Sequence, residues 1–130
     1  MAGNGVAELI ETCYGVDLIG ASIALAVGER CALRPTAPVP TMVHMLTSDR
    51  AGQLVAIEGV QEVLAIPEVV DLRLFAEVGC IVRPYHQAGY KLGQIVLSGS
   101  SRARLRAAEA EARQTIRFLL AERDMAVPLP

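Results

Sequence analysis

The stretch VVDLRLFAEV, Val69 to Val78, decides the fold. Val70, Leu72, Leu74, Ala76 and Val78 fall on one side of an extended segment, and Asp71, Arg73 and Glu77 fall on the other. Apolar residues at period 2 predict a strand with one face on a core. Phe75 interrupts the polar side, so that side is expected to be partly covered too. A strand of this kind needs pairing partners and a covering layer, and the flanking sequence supplies both.

Upstream, Thr41 to Thr47 and Gln53 to Glu58 read as two strands joined by the polar turn Ser48-Asp49-Arg50-Ala51-Gly52. Val60 to Ile66 reads as a short helix stopped by Pro67. Downstream, Gly79 turns the chain into a short strand, Cys80 to Arg83, and a loop from Pro84 to Gly89 leads into Tyr90 to Leu97. Gly93 sits in that strand as a candidate bulge. The spacing of Leu105, Ala108, Ala112, Ile116 and Leu119 predicts a long final helix from Arg102 to about Glu122, with Glu109 and Arg113 paired at i,i+4.

The N-terminal part differs. Val6, Leu9, Ile10 and Cys13 recur at helical spacing after Asn4, a candidate N-cap. Asp17 can cap a second helix over Leu18 to Val27, with Gly28 at C′. That helix is apolar nearly all round and is expected to be buried on several sides, by something outside the chain if the chain itself is too small. Pro35, Pro38 and Pro40 mark an extended connector. The expected plan is a helical segment over residues 1–34, a Pro-rich connector over 35–40, a small α+β domain over 41–122 and a tail over 123–130. The fold class is α+β: a short antiparallel sheet covered on one face by helices, preceded by a two-helix N-terminal segment.

Bulk properties narrow the function. The chain has 130 residues, enough for one domain that buries roughly two-thirds of its unfolded surface. A net charge of −2 gives no global pull toward nucleic acid or anionic membrane. Arg102, Arg104, Arg106, Arg113 and Arg117 are interrupted by Glu109, Glu111 and Glu122, the habit of a solvated face. No nucleic-acid partner is expected, because the basic balance and stacking aromatics are missing. Cys13, Cys31 and Cys80 are three, far apart and without C-x-x-C, which suits reduced thiols. With no basic n-region and no membrane-length apolar run, the expectation is a soluble, cytoplasmic protein without a membrane partner.

Individual residues offer little chemistry. Cys80 and His86 are a thiol and a base, but no third residue orients them, and a small thiol in an apolar strand is the plainer reading. His44 lies between Val43 and Met45 in a strand, and the two histidines form no ligand-spaced cluster, so no metal site is expected. Gly3-Asn4-Gly5 ahead of a helix can present backbone N–H groups to an anion.

The succession of segments resembles the C-terminal part of ATP-grasp carboxylate–amine ligases, the L-amino-acid ligase branch above all and biotin carboxylase more distantly. The residues that carry it are AGNGVAELIETCYGVDLIGASIALAVGE (Ala2 to Glu29), GQLVAIEGVQEVLAIPEVVDLRLFAEVGCIVRP (Gly52 to Pro84) and GYKLGQIVLSGSSRARLRAAEAEA (Gly89 to Ala112). The first looks like the chain just after the family's metal-binding and arginine motif, and the other two look like its small C-terminal domain. The resemblance implies ligation through an acyl phosphate with ATP and magnesium. Such chemistry needs phosphate-binding lysines and acidic or Asn metal ligands. Here the one lysine is Lys91 and the one asparagine is Asn4, in the glycine turn. No catalytic residue is therefore carried over, and ATP and magnesium are implied only for a complete ligase. Gly3, Asn4 and Gly5 match the turn that borders the acyl-phosphate pocket.

Two functions are expected. One is a ligase C-terminal module, inactive alone and completed by an ATP-grasp partner chain. The other is a stand-alone module that binds a small molecule or self-associates, as a homo-oligomer, to hide its apolar helices.

Overall fold

The computed structural model of the chain describes residues 5–121, and among them five helices and six strands. Two antiparallel three-stranded sheets form the body. In the first, β5 (Gly93–Ser98) lies between β1 (Thr41–Leu46) and β3 (Val69–Leu74). In the second, β2 (Gly52–Glu58) lies between the two-residue β4 (Ile81–Val82) and β6 (Arg117–Ala121). The α+β class and the antiparallel sheet stand as the sequence predicts.

Strand pairing is less local than the short connections suggest. β1 and β2 follow one another but do not pair: Val43 stands opposite Val96 of β5, and Leu54 opposite Leu120 of β6. The Val69–Val78 stretch is an edge strand, not a central one, and the pairing ends at Leu74. A register shift between Val69 and Asp71 also turns its faces. Val69, Leu72 and Leu74 pack on the core, while Val70 is 58% exposed. Gly93 makes no bulge. It opens β5 where a Cβ would stand 2.5 Å from the carbonyl oxygen of Arg73.

One apolar core joins the two sheets and is closed by α3 (Val60–Leu64) and α5 (Arg102–Thr115). Leu54 and Val82 enter it from the second sheet, Ile95 and Leu97 from the first, Val63 from α3, and Leu105, Ala108 and Ala112 from α5. Those three α5 positions are the first three of the predicted helical stripe, whose Ile116 and Leu119 fall beyond the helix. Ser101 caps α5 by accepting from the Arg104 N–H. The helix then ends at Thr115, seven residues short of the expected end. Ile116 turns to extended backbone, and the next residues alternate: Phe118 and Leu120 reach the core while Arg117, Leu119 and Ala121 face out. A short helix, α4 (Tyr85–Ala88), occupies the expected 84–89 loop.

The N-terminal helices α1 (Val6–Tyr14) and α2 (Leu18–Ala26) form where the periodicity places them and are bent by 109° at the break between them. Asp17 caps α2, accepting from Gly20 N–H at 2.7 Å. The N-cap of α1 is Gly5 instead of Asn4, which lies outside the described residues, as do Gly3 and the 123–130 tail. The Pro-rich connector runs back along α1, with Thr36 N–H on Tyr14 O and Val39 N–H on Cys13 O. In α2 only Ala21 is buried. Ile23, Leu25 and Val27 are 59%, 64% and 68% exposed, so the expected burial of this helix is not met within the chain. Among the described residues no single helix is long and apolar enough to cross a membrane.

Candidate functional site

The first sheet has two faces because side chains alternate along a strand. Met42, Leu72, Leu74, Ile95 and Leu97 face the core. Val43 and Met45 of β1, Gln94 and Val96 of β5 and Arg73 of β3 share the opposite face by their pairing register. The N-terminus of α1 lands on that face. A Cβ at Gly5 would stand 2.7 Å from Val43 Cγ1, 3.0 Å from Gln94 Oε1 and 3.3 Å from Met45 Cε. Gly5 itself is buried and left-handed, at φ 75°. Both the approach and the φ exclude a side chain there.

Local rules account for the polarity of the place. The first bond of the α1 ladder runs from Leu9 N–H to Gly5 O, so the N–H groups of Val6, Ala7 and Glu8 lie outside it. Gly5 offers no side-chain cap. Glu8, in the first turn, is taken up by Arg73 at 2.9 Å, and Arg73 also reaches Asp71 at 3.4 Å. The carboxylate that would otherwise answer the helix dipole is thus held by a cation from β3.

Gln94 lies beneath. Among the described residues it is the buried polar side chain, 3% exposed, and its Nε2 has no hydrogen-bond partner. Gln94 is not among the residues expected from the sequence, although one polar residue inside the apolar run LGQIVLS is the signal that marks it. The Glu8–Arg73 pair, 65 positions apart, carries no local signal at all.

Of the three expected anion-turn residues, the structure places Gly5 at this helix end, and the other two lie outside the described residues. The Cys80–His86 pairing does not appear among the described contacts. Tyr90 Oη donates to Cys80 Sγ at 3.9 Å, and this contact together with partial burial holds the Tyr90 phenol above its usual range. His44 is a satisfied strand histidine, its Nδ1 3.0 Å from Glu109 Oε1. Burial pushes the His44 imidazole below its ordinary value, and Arg113 adds to that, outweighing the pull of Glu109. His44 borders a cleft of about 220 Å³ with Thr47, Asp49 and Arg113. A second open groove, about 470 Å³, lies between the start of β1 and α5. Neither includes Gly5. Among the described residues no group of three or more His, Cys, Asp or Glu side chains is placed to hold a metal ion.

Comparison with known proteins places this geometry. Residues 44–121 match the family L-amino acid ligase C-terminal domain 2. The uncharacterized protein y4rH of Sinorhizobium fredii is 33% identical over 103 residues, which is 79% of this chain and 22% of that protein. Three solved structures share the fold. Phosphoribosylglycinamide synthetase from Anaerococcus prevotii superposes with a TM-score of 0.75 at 16% identity, covering 91% of this chain and 31% of its own. L-amino acid ligase from Bacillus licheniformis gives 0.74 at 19%, covering 93% and 31%. N5-carboxyaminoimidazole ribonucleotide synthetase from Thermotoga maritima gives 0.66 at 20%, covering 92% and 31%. The chain therefore spans under a third of each relative. Two packed antiparallel sheets closed by α3 and α5, with α1 laid against the outer face of the first sheet, are the fold that these solved structures share, and the match over residues 44–121 gives the family: the chain belongs to the L-amino acid ligase C-terminal domain 2 family, the C-terminal part of ATP-grasp ligases.

Proposed function

We propose that this chain is the C-terminal module of an ATP-grasp carboxylate–amine ligase, inactive alone and completed by an ATP-grasp lobe. The observation that carries the reading is the state of the N-terminal helix pair. Gly5, the N-cap of α1, brings no side-chain cap, and the outer helix α2 leaves Ile23, Leu25 and Val27 in solvent. Apolar surface of that kind favours a covering partner. The relatives, each about three times as long or more, carry further chain that would supply it.

In this reading the Gly3-Asn4-Gly5 turn borders the acyl-phosphate pocket. The N–H groups of the first α1 turn, which the helix ladder does not use, then face the anionic group, a helix-end interaction worth about 0.3–1 kcal/mol at an exposed site and more once a lobe excludes water. In the same reading ATP and magnesium go to the ATP-grasp lobe. The residues present do not fit them: the chain has a single lysine, Lys91, and no acidic cluster for a metal among the described residues. Free Cys13, Cys31 and Cys80 support a reducing, cytoplasmic setting.

The test is complementation. The chain is mixed with a separately expressed ATP-grasp lobe from an L-amino acid ligase, and ADP release is followed with mixed amino acids. The expected result is a complex that turns over ATP while neither part does so alone. Turnover of ATP by this chain by itself, or no complex with any such lobe, overturns the reading. The exposed α2 face also supports a second reading, a non-enzymatic module that self-associates as a homo-oligomer. Sedimentation at high concentration separates the two, since a compact monomer removes the second.

A further inference from the structure

We propose that β1 is the docking edge for an extended acidic segment of a partner protein, which pairs with it as a further strand and sets two carboxylates on Arg102 and Arg106. The inference stands apart from the ligase reading, since no group of the Gly5 site enters it. Among the described residues four strands are sheet edges, and three of them are protected against chance pairing. β3 carries Asp71 and Arg73 and a register shift. β6 begins at Arg117 and pairs with β2 through a second shift, and β4 has only two residues. β1, TMVHML, keeps one unbroken register from Thr41 to Leu46, and its one titratable side chain, His44, is held by Glu109. Gly99 N–H donates to Pro40 O at 3.1 Å, so residues 40 and 99 form a hydrogen-bonded pair. The alternation along an antiparallel ladder then turns the peptide groups of Thr41, Val43 and Met45 away from β5, to the open side.

Beside this edge α5 forms a wall that advances with the strand. Arg102, Leu105 and Arg106 line the groove of about 470 Å³ together with Pro40, Thr41 and Met42. One turn further Glu109 meets His44, and beyond that Arg113 and Ile116 share the second cleft with Leu46. Met42 and Leu105 belong to the core and give the groove an apolar floor. Charge selects the occupant. Arg104 is taken by Glu68 and Arg113 lies 3.9 Å from Glu109, whereas Arg102 and Arg106 have no ion pair among the described residues. Four residues of helix advance about 6 Å and two residues of strand about 6.6 Å, so carboxylates at alternate positions of an added strand reach both arginines together. A carboxylate one step nearer the middle of α5 meets Glu109 and is repelled, so the segment is acidic at two alternate positions and neutral beside them.

The test uses the whole chain, 15N-labelled, titrated with a short capped peptide of threonine and valine that carries glutamate at two alternating positions. The same peptide with glutamine, the same with lysine, and inorganic phosphate are the comparisons. The expected result is that the backbone amides of Thr41, Val43 and Met45 and the Nε–H signals of Arg102 and Arg106 move along one binding curve with the glutamate peptide. The glutamine peptide then binds about tenfold more weakly, the size of two exposed ion pairs. In the double variant Arg102→Glu, Arg106→Glu the preference reverses, and the lysine peptide binds in place of the glutamate one. Both side chains are exposed, and an acidic residue in the first turn of α5 suits the helix dipole, so the fold is expected to survive. If it does not, the glutamate and glutamine peptides on the wild-type chain decide. Arginine shifts with unmoved β1 amides, equal binding of those two peptides, or phosphate reproducing the arginine shifts at the same concentration overturn the proposal. No shift with any peptide overturns it too. Shifts of the β1 amides that grow with protein concentration in the absence of peptide give the edge to a second copy, and also overturn it. Complementation decides the ligase reading whichever of these is seen.

Discussion

Arg104 grips a single oxygen of Glu68 with two nitrogens, Nε and Nη2, each at 2.9 Å from Oε1. Glu68 precedes β3 and its side chain is 13% exposed, while Arg104 stands on the first turn of α5. The contact fastens the helix to the entry of the edge strand. Arg104→Ala is expected to lower stability by about 0.5–1 kcal/mol, discounted for the solvent around the arginine. Urea unfolding checks this, with the added expectation that the loss shrinks in high salt.

Gly5→Ala and Gly28→Ala make a matched pair. Both glycines are left-handed, at φ 75° and 81°. At Gly5 a Cβ meets Val43 Cγ1 at 2.7 Å, and at Gly28 it meets nothing within 4 Å. Backbone strain alone costs about 1–2 kcal/mol. Gly28→Ala is expected near that figure and Gly5→Ala above it, by urea midpoints at constant slope.

The end of α5 gives a sharper contrast. In a helix continuing past Thr115, Leu119 would sit on the buried stripe. In β6 it faces outward, and Phe118 and Leu120 face the core. Leu119→Thr is therefore expected within about 0.5 kcal/mol of wild type, as for other outward positions. Phe118→Ala is expected to cost about 2–4 kcal/mol, somewhat below a fully buried aromatic. Equal losses at the two positions would return the segment to a helix.

His44 makes stability depend on pH. Its folded pKa lies below the ordinary 6.5, burial being the main cause. The unfolded chain thus binds the proton more readily, and stability falls as pH drops through 6.5 and on through the folded value. Below both values the penalty is complete. Thermal unfolding between about pH 8 and pH 5 is expected to show a decline that His44→Gln flattens.

The sequence makes element type and position legible wherever the signal is local. The helix spacing of Val6, Leu9, Ile10 and Cys13, the Asp17 cap and the α5 stripe from Leu105 to Ala112 all stand in the structure. Pairing is not local and stays hidden. Nothing in Val69–Val78 reveals the register shift that turns Val70 outward, because the partner, β5, sets it. Ile116 and Leu119 continue a helical period by coincidence, and β6 exists because β2 needs a second neighbour. At the candidate site, the glycines are legible as a turn. Gln94 and the Glu8–Arg73 pair come together only through the β3–β5 register and the landing of α1.

That same need of β2 has a consequence for biosynthesis. Glu58 waits for Arg117 while the whole of α3, β3, β4, α4, β5 and α5 is translated. Until then one margin of an apolar strand stays open on the nascent polypeptide, an invitation to wrong strand pairing that a holding chaperone would relieve.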